Sequence, residues 1–382
     1  MTGLRQPVRV CLLTSWHPIE YSRFFDREAV SLSNAGYDVT LVGLGDVDSD
    51  QRSRGVRLIA LTPSRGARKL RLLKRLADVA FGLRSDVYQC LDPWTLAIGL
   101  LVQFRRPSVR IVYEASEWFP QMYLDRPDLT RIARRTGWLA VTMLEWVACR
   151  RARLIIETNR TRSGRFQAGG RQPVIVPNYP PLELLPDSTA QRGPAFAWTG
   201  LMSRPRGFDR LLEAMVDVRR EYPEVRLAVA GEFDPHDDIG PWAHDFITRN
   251  QLAGNVDLLG TLPYARTMAM LRGCAAGVIL LQPGRGNDYT GQPNKLFEFM
   301  GAGLAVIASD FPEIAPVVRE SNCGWLVDPT DTKAIATAMK TCLAGPKTCA
   351  ARGAAGRAAV FRQYGWSQAE TALLSGYRGL YS

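Results

Sequence analysis

The chain has 382 residues, of which 46% are hydrophobic and 22% are charged. This composition is ordinary for a globular protein and excludes a disordered one, and the length exceeds what one hydrophobic core usually supports. We therefore expect two domains. Residues 1–190 carry 28 Lys+Arg and 18 Asp+Glu, a balance of +10, whereas residues 191–382 carry 20 and 19, a balance of +1. The first half is thus predicted to meet a negatively charged partner.

The cysteines indicate a reduced chain without a metal framework. They are scattered, with no C-x-x-C spacing and no histidine cluster beside them, so we expect free thiols and neither disulfide nor zinc. No stretch resembles a signal peptide, and the longest lipophilic helix candidate, Trp138–Cys149, falls short of the roughly 20 residues that a membrane span requires. We predict a cytoplasmic protein and keep open a peripheral position on the cytoplasmic face of a membrane.

Apolar runs alternate with amphipathic stretches throughout the first half, which predicts an α/β fold. The runs are rich in β-branched residues and have the length of buried strands. A helix is predicted over Phe24–Asn34, and a long one over Leu129–Arg151, with basic clusters at both ends and a middle assigned mainly to the core. The predicted strands are Val8–Thr14, Tyr37–Leu44, Val56–Leu61, Val87–Leu91, Arg110–Glu114, Leu154–Thr158 and Val174–Val176.

An acidic run, D-V-D-S-D, follows the second predicted strand and contains Asp46, Asp48 and Asp50. Alternating carboxylates can hold a metal ion. A calcium-binding EF-hand loop, however, needs glycine at its sixth position and glutamate at its twelfth, and these are Gln51 and Arg57. We therefore predict a polar loop and no metal site.

Six basic residues lie between Arg65 and Arg75. Leu70, Leu73, Ala77 and the pair Ala80/Phe81 form one stripe of the predicted helix that follows. Two interpretations stay open: a surface helix with its stripe in the core, or a helix that faces anionic lipid. No aromatic residues interleave the basic ones and no nucleic-acid-binding module is visible, so nucleic acid is the less favoured partner.

Five prolines within residues 177–194 mark an interdomain linker, because proline at this density cannot continue a helix or a central strand. The α/β alternation then resumes. Two glycines, Gly200 and Gly207, enclose a loop that contains Arg204 and Arg206. The strands predicted for this second half are Phe196–Thr199, Arg226–Ala230, Val256–Gly260, Ala276–Leu281 and Ala305–Ser309.

The most informative stretch is residues 283–310. A glycine-rich loop follows a buried strand and leads to Pro293, predicted as the first residue of a helix over Asn294–Ala302. Helix amino termini at the carboxyl ends of parallel strands bind phosphate. Lys295 in the first turn could sit beside a phosphate, and Glu298 one turn deeper could accept hydrogen bonds from a ribose. The spacing alone also allows an ordinary surface Lys–Glu pair.

The sequence P-N-K-L-F-E-F-M-G-A-G-L-A-V-I-A-S-D resembles the donor-binding segment of glycosyltransferase family 4, whose members have the GT-B fold. The resemblance implies that Glu298 holds the ribose of a nucleotide. Family members commonly have Glu-x7-Glu here, whereas this chain has Thr290 at the position of the first glutamate and Asp288 as the nearest carboxylate.

Other donor contacts follow from the same resemblance. Arg206 matches a basic residue that joins the lysine on the diphosphate, so Arg206 and Lys295 become the predicted catalytic pair. Leu201 occupies a position that is often arginine, and Arg204 is the predicted substitute. The complete predicted donor-binding set is Gly200, Arg204, Arg206, Gly231, Thr290, Gly291, Asn294, Lys295 and Glu298.

The first half resembles the acceptor domain of the same family. In Y-E-A-S-E-W-F-P, Ser116 stands where the family often has histidine, and Glu117 follows at the end of a strand. His17 and Asp92 also follow predicted strands, so these residues are candidates for acceptor contact. The resemblance implies two Rossmann-like domains across a cleft, comprising residues 1–178 and 195–363, with a linker over 179–194 and a final helix over 364–382 that returns to the first domain.

The implied function is transfer of a sugar from a nucleoside-diphosphate donor to a glycan or lipid-linked acceptor, with retention of anomeric configuration. No cofactor and no metal are expected. A nucleotide-sugar 2-epimerase on the same fold would need no separate acceptor and would leave the basic first half unexplained. A non-catalytic homologue acting as a binding subunit is the second alternative, because Thr290 and Ser116 stand at positions that are often glutamate and histidine.

Overall fold

The computed structural model describes residues 6–63, 68–126, 128–185, 193–284 and 286–381, and all of Arg68 except its side chain. The chain divides into two compact units. The first consists of Met1–Asn178 together with Ser367–Ser382, and the second of Tyr179–Trp366. Of the predicted linker, 179–185 lie in the second unit, where the Trp366 amide donates to the Pro180 carbonyl (2.9 Å). Residues 186–192 lie outside the described part.

The first unit contains an eight-stranded sheet with the order β3-β4-β2-β1-β5-β6-β7-β8. Neighbouring strands are parallel except for β3, which is antiparallel to β4. Parallel strands need helical crossovers, and these cover the sheet. The strands are β1 (Arg9–Pro18), β2 (Asp38–Leu44), β3 (Ser49–Ser53), β4 (Val56–Leu61), β5 (Val87–Cys90), β6 (Arg110–Ala115), β7 (Leu154–Glu157) and β8 (Val174–Ile175).

The first predicted helix begins as a π-helix, Arg23–Ala29, and continues into α1 (Val30–Asn34). The C-terminal helix α15 (Trp366–Arg378) belongs almost entirely to this unit, where the Tyr377 hydroxyl donates to Gln89. The remaining helices of the unit are α2 (Arg68–Leu83), α3 (Pro93–Arg105), α4 (Phe119–Leu124), α5 (Arg131–Arg151) and α6 (Arg160–Gln167).

The structure shows which faces of two helices in the first unit are buried. On α2 the buried stripe is Leu72, Leu76 and Ala80, whereas Leu70 of the predicted stripe is 78% exposed, which argues against the interpretation that placed this stripe in the core. The predicted core position for the middle of α5 is wrong. On α5 the middle carries large exposed apolar side chains, including Met143 and Trp146. Helical periodicity locates an apolar stripe but does not show which stripe faces the sheet when a helix has apolar residues on more than one side.

The predicted polar loop at D-V-D-S-D is confirmed for Asp46–Asp48, whereas its last two residues, Ser49 and Asp50, begin the edge strand β3. Two of its carboxylates pair with arginines: Asp50 with Arg57 (2.6 Å), and Asp48 with Arg75. These pairs account for two of the three alternating acids. The part of the chain that the structure describes contains no cluster of His, Cys, Asp and Glu suited to a metal ion.

The second unit contains a six-stranded, fully parallel sheet with the order β11-β10-β9-β12-β13-β14. Its strands are β9 (Ala195–Thr199), β10 (Arg226–Ala230), β11 (Val256–Leu258), β12 (Ala276–Ile279), β13 (Ala305–Ser309) and β14 (Gly324–Val327). Its helices are α7 (Phe208–Glu221), α8 (Ile239–Arg249), α9 (Tyr264–Arg272), α10 (Gly286–Tyr289), α11 (Asn294–Gly301), α12 (Ala315–Ser321), α13 (Thr332–Ala344) and α14 (Pro346–Gln363). Two short 3₁₀ turns, Leu182–Leu184 and Arg204–Arg206, complete the unit.

The prediction that every cysteine is a free thiol is wrong for one pair. Cys342 near the end of α13 and Cys349 near the start of α14 form a disulfide, with their Cα atoms 5.2 Å apart. The turn at Gly345 joins the two helices and brings together cysteines seven residues apart, a spacing without a recognisable motif. The other five cysteines are free and buried.

No described helix combines the length and apolar character that crossing a bilayer requires.

Candidate functional site

The strand order of the second unit defines a topological switch point. From β9 the chain continues through β10 and β11 on one side of the sheet, and it then resumes on the other side with β12, β13 and β14. Open α/β sheets bind ligands at the carboxyl ends of the strands where the order reverses. The loops that follow β9 and β12 therefore form the expected site, and these loops contain the predicted donor residues.

Glycines let the loops at this edge approach each other closely. A Cβ atom on Gly231, after β10, would lie 2.0 Å from the carbonyl oxygen of Gly200, after β9. Gly207 has a φ of +76°, and a Cβ there would lie 2.3 Å from the carbonyl oxygen of Leu280. Gly231 and Gly207 are thus required for packing between loops.

Lys295 is the central cation of the site. It is buried in the first turn of α11, where its Nζ lies 3.3 Å from the carbonyl oxygen of Thr199 and 4.3 Å from the ring centre of Trp198. Burial, and to a smaller extent the neighbouring charge of Arg206, lower the pKa of Lys295 to about 7, against the opposing charges of Glu298 and Asp288. An anion bound here would restore the positive charge on this amine.

The two arginines of the loop after β9 differ in their surroundings. Arg206 faces Gly200: a Cβ on that glycine would lie 3.9 Å from the Arg206 guanidinium. Arg204 instead forms ion pairs with Asp209, Asp237 and Asp238, the last at 3.0 Å. Its charge is already matched by carboxylates, so the geometry favours Arg206 as the phosphate ligand.

Helix α11 begins at Asn294, the predicted start, and ends one residue early at Gly301; Pro293 is its N-cap and not its first helical residue. Glu298 is half-buried one turn beyond Lys295. Thr290 follows the short helix α10, and its hydroxyl donates to the Gly286 carbonyl (2.8 Å). The structure therefore brings Lys295, Arg206 and Glu298 to one edge and gives Thr290 a local bond to the backbone. Gly291 and Asn294, the remaining predicted donor residues, lie between α10 and the start of α11.

The predicted acceptor residues lie at the carboxyl edge of the first unit's sheet. His17 stacks on Tyr21 with ring centres 4.4 Å apart. Burial lowers the pKa of His17, and the charges of Asp92 and Glu117 oppose this effect. Both carboxylates are thus near enough to act on the imidazole.

Neither carboxylate is free of structural contacts. Asp92 is the N-cap of α3, and its side chain accepts hydrogen bonds from the backbone amides of Ser15 (2.6 Å), Trp94 (3.0 Å) and Thr95 (2.9 Å). Glu117 pairs with Arg162 at 3.4 Å. Asp92 therefore holds the loop after β1 against the start of α3, a role that sequence reasoning missed although D-P at a helix start is a capping signal.

Trp198 is a second residue that sequence reasoning missed. Its ring forms one wall of the Lys295 site, and its side chain is fully buried in the core. It occupies an apolar strand two residues before Gly200, so the sequence marks it only as core.

Comparisons with known proteins agree with this geometry. Residues 193–345 match the family described as glycosyl transferases group 1. A phosphatidyl-myo-inositol mannosyltransferase of Mycobacterium tuberculosis is 28% identical over 233 residues, which span 58% of this chain and 58% of that protein. The matched stretch is thus a little over half the length of this curated relative.

Solved structures match nearly the entire chain. Sucrose-phosphate synthase from Thermosynechococcus elongatus has a TM-score of 0.77 at 17% identity and covers 98% of this chain and 99% of its own. Anabaena Alr3699/HepE in complex with UDP-glucose has a TM-score of 0.74 at 15% identity, with coverages of 97% and 99%.

These findings show the fold of the protein. The fold, two Rossmann-like α/β units with parallel sheets, is that of the GT-B glycosyltransferases, and the predicted fold class is confirmed. The group 1 match covers residues 193–345 of the unit that contains Lys295 and Glu298, and together with the curated relatives it supports the resemblance to a GT-B glycosyltransferase.

Proposed function

We propose that this protein transfers a sugar from a nucleoside-diphosphate donor to a glycan or lipid-linked acceptor, with retention at the anomeric carbon. The observation that carries this proposal is the cation pair at the switch point of the second unit. Lys295 is buried there without a carboxylate in direct contact among the described residues, and the charge of Arg206 depresses its pKa further. Two cations held together at the start of a helix fit a diphosphate.

The chemistry follows from where negative charge develops. As the bond between the anomeric carbon and the diphosphate oxygen breaks, charge grows on the leaving phosphate. Lys295, Arg206 and the amino terminus of α11 are fixed in place before this happens, so they stabilise the departing group more than the intact donor. Glu298, one turn deeper, is proposed to accept hydrogen bonds from the ribose hydroxyls.

A thermal-shift screen against nucleoside diphosphates tests the donor assignment. The mannosyltransferase name of the relative supports including GDP and GDP-mannose beside the uridine and adenosine counterparts. One diphosphate should raise the melting temperature, and its monophosphate should raise it less. A protein that none of these compounds stabilises would contradict the proposal. Donor hydrolysis or transfer above background would exclude a purely binding homologue.

Donor binding should depend on pH because of Lys295. The pKa of Lys295 is about 7, so most of the protein carries a neutral amine at pH 8. A diphosphate diester keeps its charge in this range and favours the ammonium form, so binding above pH 7 takes up a proton. Affinity should then fall as pH rises from 7 to 9, by at most about tenfold per pH unit.

Calorimetry at pH 8 in two buffers of different ionisation enthalpy measures this proton uptake directly. Lys295→Met removes the titrating group and should show weak binding with no buffer dependence. An affinity that stays constant from pH 7 to pH 9 in the unaltered protein would place the bound phosphates away from Lys295.

We propose retention because both predicted carboxylates at the acceptor edge are engaged in structural contacts, so neither is a ready general base. An inverting reaction needs a general base opposite the leaving group. Asp92 caps α3 and Glu117 pairs with Arg162, and Ser116 stands where the family that the chain resembles often has histidine. In a retaining, front-face reaction a diphosphate oxygen of the donor takes the acceptor proton instead. Proton NMR of the freshly formed linkage should show the anomeric configuration of the donor; the opposite configuration would overturn the proposed mechanism.

We propose that transfer needs no divalent metal, since Lys295, Arg206 and the start of α11 already supply positive charge at the diphosphate. Turnover should be unchanged after exhaustive treatment with a chelator. Loss of activity on chelation, with recovery on adding magnesium or manganese, would contradict this.

The acceptor is proposed to be presented at the cytoplasmic face of a membrane. The excess of positive charge in residues 1–190 supports an anionic surface, and the relative's printed name includes a phosphatidylinositol. The basic segment Arg65–Arg75 supplies part of that charge; residues 64–67 and the Arg68 side chain lie outside the described part of the chain. In the described part, Arg71 and Lys74 are exposed, whereas Arg75 pairs with Asp48.

A further inference from the structure

The outer surface of the first unit carries an unusual set of exposed apolar side chains on two neighbouring helices. Helices α3 and α5 pack against each other on one face of the sheet, in the same core as β5 and β6. Their outward sides should face water in an isolated globular protein. The large exposed apolar residues on them are Trp94, Leu101 and Phe104 of α3, and Ile132, Trp138, Leu139, Met143 and Trp146 of α5.

The degree of exposure is large for side chains of this size. Phe104 is 84% exposed, Ile132 77% and Met143 61%. Single exposed apolar residues are normal, but a contiguous patch of them marks an interaction surface. We define the outward side of α3 and α5, from Trp94 and Ile132 to Phe104 and Trp146, as the apolar face.

The charged residues of α3 and α5 indicate which kind of partner the apolar face fits. Helix α3 contains one charged residue, Arg105, and the exposed charged residues of α5 are arginines at its two ends. The single acid of α5, Glu145, points inward, where it accepts a hydrogen bond from Tyr113 (3.0 Å) and pairs with Arg165 (3.3 Å). The apolar face therefore presents apolar and cationic groups and no carboxylate.

Tryptophan and arginine are also placed as a lipid headgroup layer requires. The Arg150 guanidinium stacks on the exposed ring of Trp146, 3.4 Å from its centre. At the other end of the face, Lys69 of the basic segment lies 4.5 Å from the ring centre of Trp94. Tryptophan prefers the interface between hydrocarbon and headgroups, and arginine there meets lipid phosphate.

We propose that the apolar face docks in the plane of an anionic lipid bilayer, with the side chains of α3 and α5 inserted among the headgroups. Helix α5 has 21 residues and is thus about 30 Å long, so it can lie along the surface over its full length. A second copy of the chain fits less well. Two such faces brought together would oppose arginines without any acid to pair them.

The docked orientation has a consequence for the acceptor, which rests on the proposed function. Helix α3 begins directly after Asp92, at the same sheet edge as His17 and Glu117. A bilayer against the apolar face therefore lies beside the proposed acceptor residues. A lipid-linked acceptor could reach them with its lipid still in the membrane.

Vesicle co-sedimentation of the full chain, without donor or acceptor, tests docking separately from catalysis. We expect binding to equal mixtures of phosphatidylcholine and phosphatidylglycerol and weak binding to phosphatidylcholine alone. Met143→Ser with Trp146→Ser should lower the partition coefficient by about tenfold or more, from the lost apolar burial. Arg131→Gln, Arg135→Gln and Arg150→Gln together should remove the salt-sensitive part of binding.

Phe361→Ser is the matched control, because Phe361 is an exposed aromatic residue of the second unit that lies 4.6 Å beneath the Arg357 guanidinium. It should bind vesicles as the unaltered protein does. The thermal melting curve and the shift induced by a nucleoside diphosphate should be the same in all variants, which separates lost docking from lost folding or a lost donor site.

Conservative variants locate the contact even if the serine variants fail to fold. Brominated lipid should quench tryptophan emission of the bound protein, and Trp138→Phe with Trp146→Phe should keep binding while losing much of that quenching. Serine or glutamine variants that bind as the unaltered protein does would overturn the proposal. A dimer in sedimentation equilibrium that the serine variants abolish would also overturn it, in favour of self-association.

Discussion

Replacing Lys295 with alanine is expected to raise the barrier to sugar transfer by about 2–4 kcal/mol, or roughly 30- to 1,000-fold in kcat. The ammonium group is held beside Trp198 and the Thr199 carbonyl, so it does not need to move when the leaving diphosphate gains charge. Alanine removes that charge without filling the space. Donor binding should weaken as well, but kcat should fall in addition, because the interaction strengthens as the bond breaks.

Lys333→Ala provides a matched control, since Lys333 is an exposed lysine in the first turn of α13 in the same unit. It should leave turnover unchanged. Glu298→Gln should instead weaken the binding of the donor and of the free nucleotide to a similar degree, because a ribose contact is the same before and during the reaction. If Lys295→Ala turns over like the unaltered protein, the phosphate assignment fails.

The sequence could place Lys295 and Glu298 relative to each other because their spacing is local. Lys295 and Glu298 are one turn apart on one helix, and the preceding glycine loop and buried strand fix which edge of the sheet that helix faces. The second loop, with Arg206, had to be inferred from family resemblance. The switch point between β9 and β12 places the two loops together, and that order of strands is a property of the tertiary fold.

Features that depend on the partner of a side chain were harder to predict. Arg204 has the same residue type as Arg206 and lies two positions away, yet it pairs with three carboxylates that come from two later stretches of the chain. The edge strand β3 was missed because its residues are polar, and a strand exposed at a sheet edge lacks the alternation that marks a buried one.

The apolar face of α3 and α5 shows a further limit. Tryptophan, leucine and methionine in the middle of a long helix predict burial, since a core is the usual place for them. The sequence alone does not show that Val141, Ala148 and Cys149 are buried, whereas Leu139 and Met143 of the same helix are exposed. Only the packed structure separates a helix that buries its apolar residues from one that presents them.

A buried ionic network in the first unit was also missed, because its members come from distant parts of the chain. Arg23 is buried between two carboxylates, with Nε 2.7 Å from Glu114 and a terminal nitrogen 3.1 Å from Glu28. Gln89 donates to both carboxylates at 2.6 Å and accepts from the Tyr377 hydroxyl of α15. Arg23 thus compensates the charges of Glu28 and Glu114, and Gln89 links this network to the C-terminal helix α15.

Arg23→Met is expected to destabilise the first unit by about 3–5 kcal/mol, because it leaves two buried carboxylates without their cation. Arg54→Met is the matched control: Arg54 pairs with Asp26 at 2.9 Å on the surface, so its loss should cost at most about 1 kcal/mol. Hydrogen exchange of β1, β5 and β6 in increasing urea measures the first unit separately from the second. Adding Glu28→Gln and Glu114→Gln to Arg23→Met should restore much of the stability.

The stability that Arg23→Met removes from the first unit should also grow with pH. Burial raises the pKa of Glu28, the charge of Glu114 raises it further, and Arg23 opposes both. A carboxyl group whose pKa is higher in the folded than in the unfolded state contributes most stability below its unfolded value of about 4.5, and this contribution disappears as pH rises through the folded value. Without Arg23 the folded pKa rises further, so the variant should come closest to the unaltered protein at pH 5 and fall furthest behind at pH 8. A deficit that is equal at both pH values would mean that Arg23 stabilises the unit by packing and not by compensating the two acids.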